Sequence, residues 1–187
     1  MKSTNNTLNK KKYGIALARC FGIGILFALL NTAKITIGRL RPHFLAVCMP
    51  NVDIRNCLPN TFITEYVCTN PDTKKVKDSR VSFPSNHSAF SFYTAVFIAC
   101  YYHRRSKVFD KFVVVASLIK IFLLGGAGYC AFSRISDYKH HPEDILVGSF
   151  LGIIGGYYFE SRTFYDEEDI CEHTILNTQR SNKVTDA

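Results

Sequence analysis

The feature that most constrains this chain is the alternation of long apolar runs with strongly polar segments. Hydrophobic residues make up 47% of the 187 residues, yet the mean hydropathy is only +0.02, because polar loops offset the apolar runs. A helix needs roughly 20 predominantly apolar residues to cross the hydrocarbon core of a bilayer. Runs of this kind predict either a helical bundle within a membrane or, as the alternative, a soluble bundle with buried helices.

Four apolar runs are the candidate membrane spans, at about Tyr13–Ile37, Ala89–Tyr102, Phe112–Phe132 and Ile145–Phe159. The first and third reach spanning length, whereas the second and fourth need polar flanking turns to do so. The fourth run contains small residues that permit close packing of membrane helices, namely Gly148, Gly152, Gly155 and Gly156.

We therefore predict an all-α integral-membrane helical bundle with about four spans. Residues 1–160 form this domain, and residues 161–187 form an acidic tail that we expect to be disordered. We find no internal repeat in the sequence. We expect no cleavable signal peptide, because the apolar run after Lys12 is too long for a signal core.

The net charge of +8 is distributed as expected for a membrane protein rather than a nucleic-acid-binding protein. Cytoplasmic loops are enriched in Lys and Arg, and basic clusters precede the first span and separate the second from the third. The clusters are Lys2, Lys10, Lys11, Lys12 and Arg19, and His103, Arg104, Arg105, Lys107 and Lys111. The long loop Gly38–Phe83 then lies on the opposite, extracellular or lumenal side.

Three of the seven cysteines, Cys48, Cys57 and Cys68, fall in this outer loop, where disulfides are permitted. A Cys57–Cys68 bond is our first choice, but an odd number leaves the pairing undetermined. The Cys and His spacings do not match a metal site, and we predict no metal and no cofactor.

The first polar cluster lies where the first span ends. Lys34 and Arg41 are seven residues apart, which predicts that they share a helical face with Gly38, and Pro42 is expected to end the helix at Arg41. Two cations on one face suit a phosphate; the alternative is snorkelling of basic side chains to the membrane surface.

The second cluster is the segment from Ser82 to Ser88, which precedes the second span. Its serines and proline predict a helix start, whose free backbone N–H groups can bind an anion. His87 would lie in the first turn, beside that anion. The alternative is a capping segment with an incidental histidine.

The third cluster runs from Ser133 to Asp144, ahead of the fourth span. Pro142 is expected to open the last helix, so that Asp144 can reach back to His140 and fix its tautomer, as in catalytic triads. Arg134 offers a planar fork of donors to phosphate oxygens. The alternative is a solvated loop with a structural ion pair.

All three clusters fall on the same predicted side of the membrane. Together they supply three cations, a helix N-terminus and two histidines. Phosphoryl transfer needs charge neutralisation, a nucleophile and a proton donor, so cations could replace a metal here.

These motifs resemble those of the type 2 phosphatidic acid phosphatase superfamily. The three matching patterns are Lys-x₆-Arg-Pro at Lys34–Pro42, Pro-Ser-x-His at Pro84–His87, and Ser-Arg-x₅-His-x₃-Asp at Ser133–Asp144. The stretches Gly38–Leu45 and Ser133–His141 are similar to animal lipid phosphate phosphatases in particular.

The resemblance implies a metal-independent hydrolase that acts on lipid phosphates, including phosphatidic acid, lysophosphatidic acid, sphingosine 1-phosphate and ceramide 1-phosphate. It implies that His140 is the nucleophile, Asp144 its orienting acid and His87 the proton donor. The residues implied to bind phosphate are Lys34, Arg41, Ser85, Asn86 and Arg134. It also implies a multi-pass protein of the plasma membrane or endoplasmic reticulum, with an extracellular or lumenal active site, and leaves a homo-oligomer open.

Two departures from the family pattern bear on activity. Asn86 replaces the usual glycine of the second motif, and its side chain would crowd the phosphate. The family has six spans, so we expect this chain to lack the first two.

The alternatives to a lipid phosphatase are a catalytically impaired relative that acts as a membrane interaction protein, or a phosphotransferase with the same chemistry.

Overall fold

A computed structural model describes residues 2–52, 63–105 and 113–185. Within these ranges the protein is helical, with no β-strand beyond one isolated antiparallel bridge between Pro50 and Cys68. The helices are α1 (Lys2–Ile37), α2 (Phe44–Cys48), α3 (Thr73–Asp78), α4 (Asn86–Arg105), α5 (Val113–Ser136) and α6 (Pro142–Thr185). The prediction of an all-α fold is confirmed for these residues.

Helices α4 and α6 run parallel and touch through their backbones. A Cβ atom added at Gly148 would lie 2.5 Å from the carbonyl oxygen of Ser85. One turn further along both helices, a Cβ at Gly152 would collide with the carbonyl oxygen of Ala89. Small residues allow such close approach of membrane helices, which confirms the packing role predicted for these glycines. Because residue numbers rise together along both helices, the N-termini of α4 and α6 lie at the same end.

The buried core joins α1 to α4. Leu30 is 1% exposed and packs with Leu26 against Tyr93 and Phe97, which are also buried. Helix α5 completes the bundle beside α4, and its other side presents large apolar side chains such as Phe122, which is 82% exposed.

Two helices are long and apolar enough to cross a membrane, Arg19–Ile37 within α1 and Val114–Ser136 within α5. These correspond to the first and third predicted spans. An outward apolar surface of this size is costly in water but favourable against lipid, which fits a membrane location for both helices.

The end of α1 differs from the prediction that a helical face carries both Lys34 and Arg41. The helix ends at Ile37, four residues earlier than predicted, because Gly38 has a φ of +60°. Glycine adopts this left-handed conformation without steric cost and commonly terminates helices. Arg41 instead lies in an irregular segment, where its backbone N–H donates to the carbonyl of Ser79 at 2.9 Å.

The predicted Cys57–Cys68 disulfide is wrong, because Cys68 is bonded to Cys48. The backbone brings these two residues together: the N–H of Thr69 donates to the carbonyl of Cys48 at 3.0 Å, next to the Pro50–Cys68 bridge. Cys57 lies outside the described residues. The bond ties the last residue of α2 to Cys68.

Helix α6 continues into the predicted tail as far as Thr185. The sequence from Glu160 onward contains neither glycine nor proline, so no residue there stops a helix.

Candidate functional site

The three polar clusters meet at one end of the bundle, where α1 and α5 finish and α4 and α6 begin; we call this the polar end. The ammonium group of Lys34, at the end of α1, donates to the carbonyl oxygen of Val81 at 3.2 Å. Ser82, in the segment before α4, donates from its hydroxyl to the carboxylate of Asp144 in α6. Residues that are distant in sequence therefore lie side by side, as the sequence predicted.

The carboxylate of Asp144 accepts three hydrogen bonds at the polar end. Pro142 opens α6 as predicted, which places Asp144 in its first turn with a side chain that is 0% exposed. One carboxylate oxygen accepts from the hydroxyl of Ser82 and from the backbone N–H of His141 at 3.0 Å; the other accepts from Arg39 at 2.8 Å. Such charge-assisted bonds fix both position and ionisation.

The same contacts keep Asp144 ionised. Burial alone raises the pKa of Asp144, but the hydrogen bonds from Ser82 and His141 and the charge of Arg39 outweigh it. The pKa of Asp144 therefore lies below its ordinary value.

The imidazole of His140 is buried directly beside this carboxylate. Its Nδ1 atom lies 3.6 Å from Asp144 Oδ2 and 3.5 Å from the hydroxyl of Ser82. Burial, together with the positive charges of Lys34 and Arg41, lowers the pKa of His140 to about 4, although Asp144 acts in the opposite direction. At neutral pH the imidazole is therefore uncharged, which is the form that a nucleophile requires.

Arg39 and Ser82 are the contacts of Asp144 that sequence reasoning missed. Arg39 bridges Asp144 and the more exposed Glu143, at 2.8 and 3.2 Å. Its position between Gly38 and Arg41 was visible in the sequence, but no spacing rule relates an irregular segment to a residue 105 positions away. Ser82 belongs to the second cluster, but nothing in the sequence indicated that its side chain is fully buried.

His87 lies in the first turn of α4, as predicted, and its side chain is exposed. Burial of part of the ring and the positive charges of Arg134 and Lys139 lower the pKa of His87 below its ordinary value. Ser85 is buried, but its backbone N–H is taken by the carbonyl of Asp144 at 3.0 Å. Asn86 carries a buried side-chain oxygen with no hydrogen-bond partner.

Three cations surround the two histidines. Lys34 is 7% exposed and donates to two backbone carbonyls, at Val81 and Ser82, which uses two of its three N–H donors. Arg41 is paired with Asp78 at 2.8 Å, while its buried Nε lacks a partner. Arg134 is paired with Asp137 at 3.1 Å. Lys34 and Arg41 lower the pKa of both histidines, and Arg134 lowers that of His87.

An open cavity of about 430 Å³ extends from His87 along the interface of α4 and α5. Apart from His87 its walls are mainly apolar or small, and include Phe90, Thr94, Ala95, Leu123 and Gly126. The polar end therefore continues directly into an apolar groove between two helices.

The PAP2 superfamily model matches residues 15–166 of this chain, which contain the whole polar end. The chain belongs to the PAP2 superfamily. This confirms the resemblance seen in the three sequence motifs.

Within the PAP2 superfamily, the chain is similar to phospholipid phosphatases. It is 34% identical over 172 residues to mouse (Mus musculus) phospholipid phosphatase 1, a match that covers 87% of this chain and 60% of the relative. It is 40% identical over 134 residues to rat (Rattus norvegicus) phospholipid phosphatase 1, covering 72% of this chain and 46% of the relative.

Human (Homo sapiens) phospholipid phosphatase 2 is 38% identical over 134 residues, with the same coverage of 72% and 46%. The chain thus spans about half the length of the curated relatives it matches. No solved structure matches the chain.

Proposed function

We propose that this PAP2 protein is a membrane lipid phosphate phosphatase that hydrolyses phosphate monoesters through a phosphohistidine at His140. The observation that carries the proposal is the buried, neutral imidazole of His140, held beside an ionised Asp144 at an end of the bundle rich in cations. The substrate class is supported by the names of the relatives, which are phospholipid phosphatases.

In the first step Nε2 of His140 attacks phosphorus, because Nδ1 faces Asp144 and Ser82. The N–P bond forms as the bond to the lipid alkoxide breaks, and His87 donates its proton to the departing oxygen. Lys34, Arg41 and Arg134 would bind the phosphoryl oxygens and balance their charge without a metal. The unpartnered Nε of Arg41 and the remaining donor of Lys34 are available for this contact.

In the second step a water molecule attacks the phosphohistidine. His87, now neutral, accepts a proton from the water as the new P–O bond forms and the N–P bond breaks. Inorganic phosphate leaves, and both histidines return to their starting protonation states. Burial and the nearby cations lower the pKa of His87. The negative charge of bound phosphate acts in the opposite direction and favours the protonated form that the first step needs.

We further propose that α4 and α6 also cross the bilayer, giving four spans with the site on the extracellular or lumenal face. Helix α4 has 20 residues, so its apolar run Ala89–Tyr102 and the polar turn at each end together extend about 30 Å at 1.5 Å per residue. That length is enough to cross a bilayer core with His87 at its surface. The Cys48–Cys68 disulfide lies in the segment that leads into the polar end, and disulfides persist on the oxidising side of membranes.

The decisive test is release of phosphate from phosphatidic acid by the purified protein in detergent with EDTA. We expect turnover by wild type and none by His140→Ala, together with an acid-labile phosphoryl group on wild type after rapid quenching. Equal release by His140→Ala would refute the assignment of the nucleophile.

The second motif offers a separate test at Asn86, where the family pattern has glycine. Asn86, whose buried side-chain oxygen has no partner, is the first residue of α4 and directly precedes His87. We expect Asn86→Gly to change turnover while Asn86→Ala, which keeps a Cβ, reproduces less of the change. Unchanged turnover in Asn86→Gly would contradict any influence of this side chain on the phosphate.

A further inference from the structure

The apolar groove between α4 and α5 adjoins the polar end but has no role in the chemistry proposed there. It runs from His87 to Ala95 along α4, a distance of about 12 Å at 1.5 Å per residue. Its volume of about 430 Å³ lies within the range of roughly 300–1,000 Å³ that is typical of ligand pockets.

We propose that this α4–α5 groove binds one acyl chain of the lipid substrate and thereby orients its phosphate at His87. The inference rests on the proposed function and adds the site for the hydrocarbon part of the substrate. Continuity supports it, because His87 forms the mouth of the groove and also lies among the cations of the polar end. A lipid whose phosphate is bound there must also place its apolar tail, and among the described residues this groove is an apolar path that adjoins the site.

The wall of the groove on α5 is shaped by small residues. A Cβ atom added at Gly126 would have no heavy atom within 4 Å, so this position borders open space. The neighbouring Ala127 is buried against α4, where its carbonyl lies 3.5 Å from the hydroxyl of Ser91. Ala127 thus sets the contact between the helices, and Gly126 leaves the groove open to one side.

The groove acts by orientation rather than by affinity. An acyl chain that enters it leaves other hydrocarbon chains rather than water, so little hydrophobic free energy is gained. Its contribution is to restrict the lipid to poses in which phosphorus faces His140. Misplacement of a reacting group by about 1 Å can cost up to about a hundredfold in rate.

The experiment compares Gly126→Leu with Gly125→Leu on two substrates, dioleoyl and dibutanoyl phosphatidic acid. The leucine at 126 would fill the groove, whereas Gly125 also borders open space but does not line it. We expect Gly126→Leu to lower kcat/KM for the dioleoyl lipid about tenfold, with little change for the dibutanoyl lipid, and Gly125→Leu to behave as wild type on both. A series through Gly126→Ala and Gly126→Phe should grade the effect with size.

A second measurement locates the chain directly. A phosphatidic acid with a photoactivatable diazirine in mid-chain should label peptides from α4 and α5 in wild type and lose that label in Gly126→Leu. Equal losses on both substrates, unchanged kinetics, or labelling confined to α1 would overturn the proposal. So would a change of oligomeric state in Gly126→Leu without dependence on chain length, which would assign the groove to a second copy. Absence of turnover by wild type on either lipid would instead refute the proposed function.

Discussion

Arg39 provides the sharpest test of how the polar end works, because it contacts Asp144 and no other proposed catalytic group. Its guanidinium donates at 2.8 Å to a carboxylate that is 0% exposed. Hydrogen bonds to charged groups contribute about 1.5–3 kcal/mol. If Asp144 orients His140 in the transition state, Arg39→Ala should lower kcat by about 10- to 150-fold, at 1.36 kcal/mol per tenfold.

A pH profile separates positioning from simple loss of structure. Arg39 is one of the groups that hold the pKa of Asp144 below its ordinary value. Without it the pKa of Asp144 rises, so the carboxylate becomes protonated at a higher pH during acidification. The acidic limb of kcat should therefore move to higher pH in Arg39→Ala, and Arg39→Lys should restore part of both kcat and the profile.

Glu143→Gln is the matched control, since it removes the other partner of Arg39 and leaves the bond to Asp144. Glu143 is 64% exposed in its side chain, and exposed ion pairs contribute about 0–1 kcal/mol, so a loss below about fivefold is expected. Phosphate release across a pH series, with thermal unfolding in detergent as a check on folding, measures all four proteins. The reasoning would be refuted if Arg39→Ala kept the wild-type kcat and pH profile. It would also be refuted if Arg39→Ala and Glu143→Gln lowered kcat equally.

Three further predictions concern charge, packing and the disulfide. Lys139→Gln should raise the pKa of His87 and move the basic limb of kcat/KM to higher pH, whereas Lys139→Arg should leave it in place. Gly152→Ala should lower the thermal midpoint in detergent, because its Cβ would meet the carbonyl oxygen of Ala89 and overpacking costs about 1–3 kcal/mol; an unchanged midpoint would contradict the backbone contact. Cys48→Ser should lose about 3 kcal/mol of stability, and reducing agent should lower the wild-type midpoint to match it.

The grouping of the three clusters could be predicted because each one adjoins an apolar run. When helices cross one layer, residues at matching ends must share a surface, so Lys34, His87 and His140 were placed together without any contact being known. Pro142 likewise predicted the start of α6 and hence the position of Asp144.

Other features depended on contacts that local patterns do not contain. The prediction that Lys34 and Arg41 share a helical face was wrong because Gly38 has a left-handed φ. That conformation depends on tertiary contacts, which the local sequence does not show. Arg39 was missed because an irregular segment has no periodicity from which a distant partner can be inferred. The choice between Cys48 and Cys57 depended on a backbone pairing in the loop, which three cysteines alone do not specify.

The glycines of α6 have a consequence for how such a protein can vary. The carbonyl oxygens of Ser85, just before α4, and of Ala89, within it, sit directly against Gly148 and Gly152. The spacing of α4 and α6 is therefore a property of the main chain and not of the side chains that face outward. Residues on the outward surface can therefore be substituted without altering this spacing. That surface can adapt to thicker, thinner or differently composed bilayers while the separation between the imidazole of His87 and the first turn of α6 stays constant.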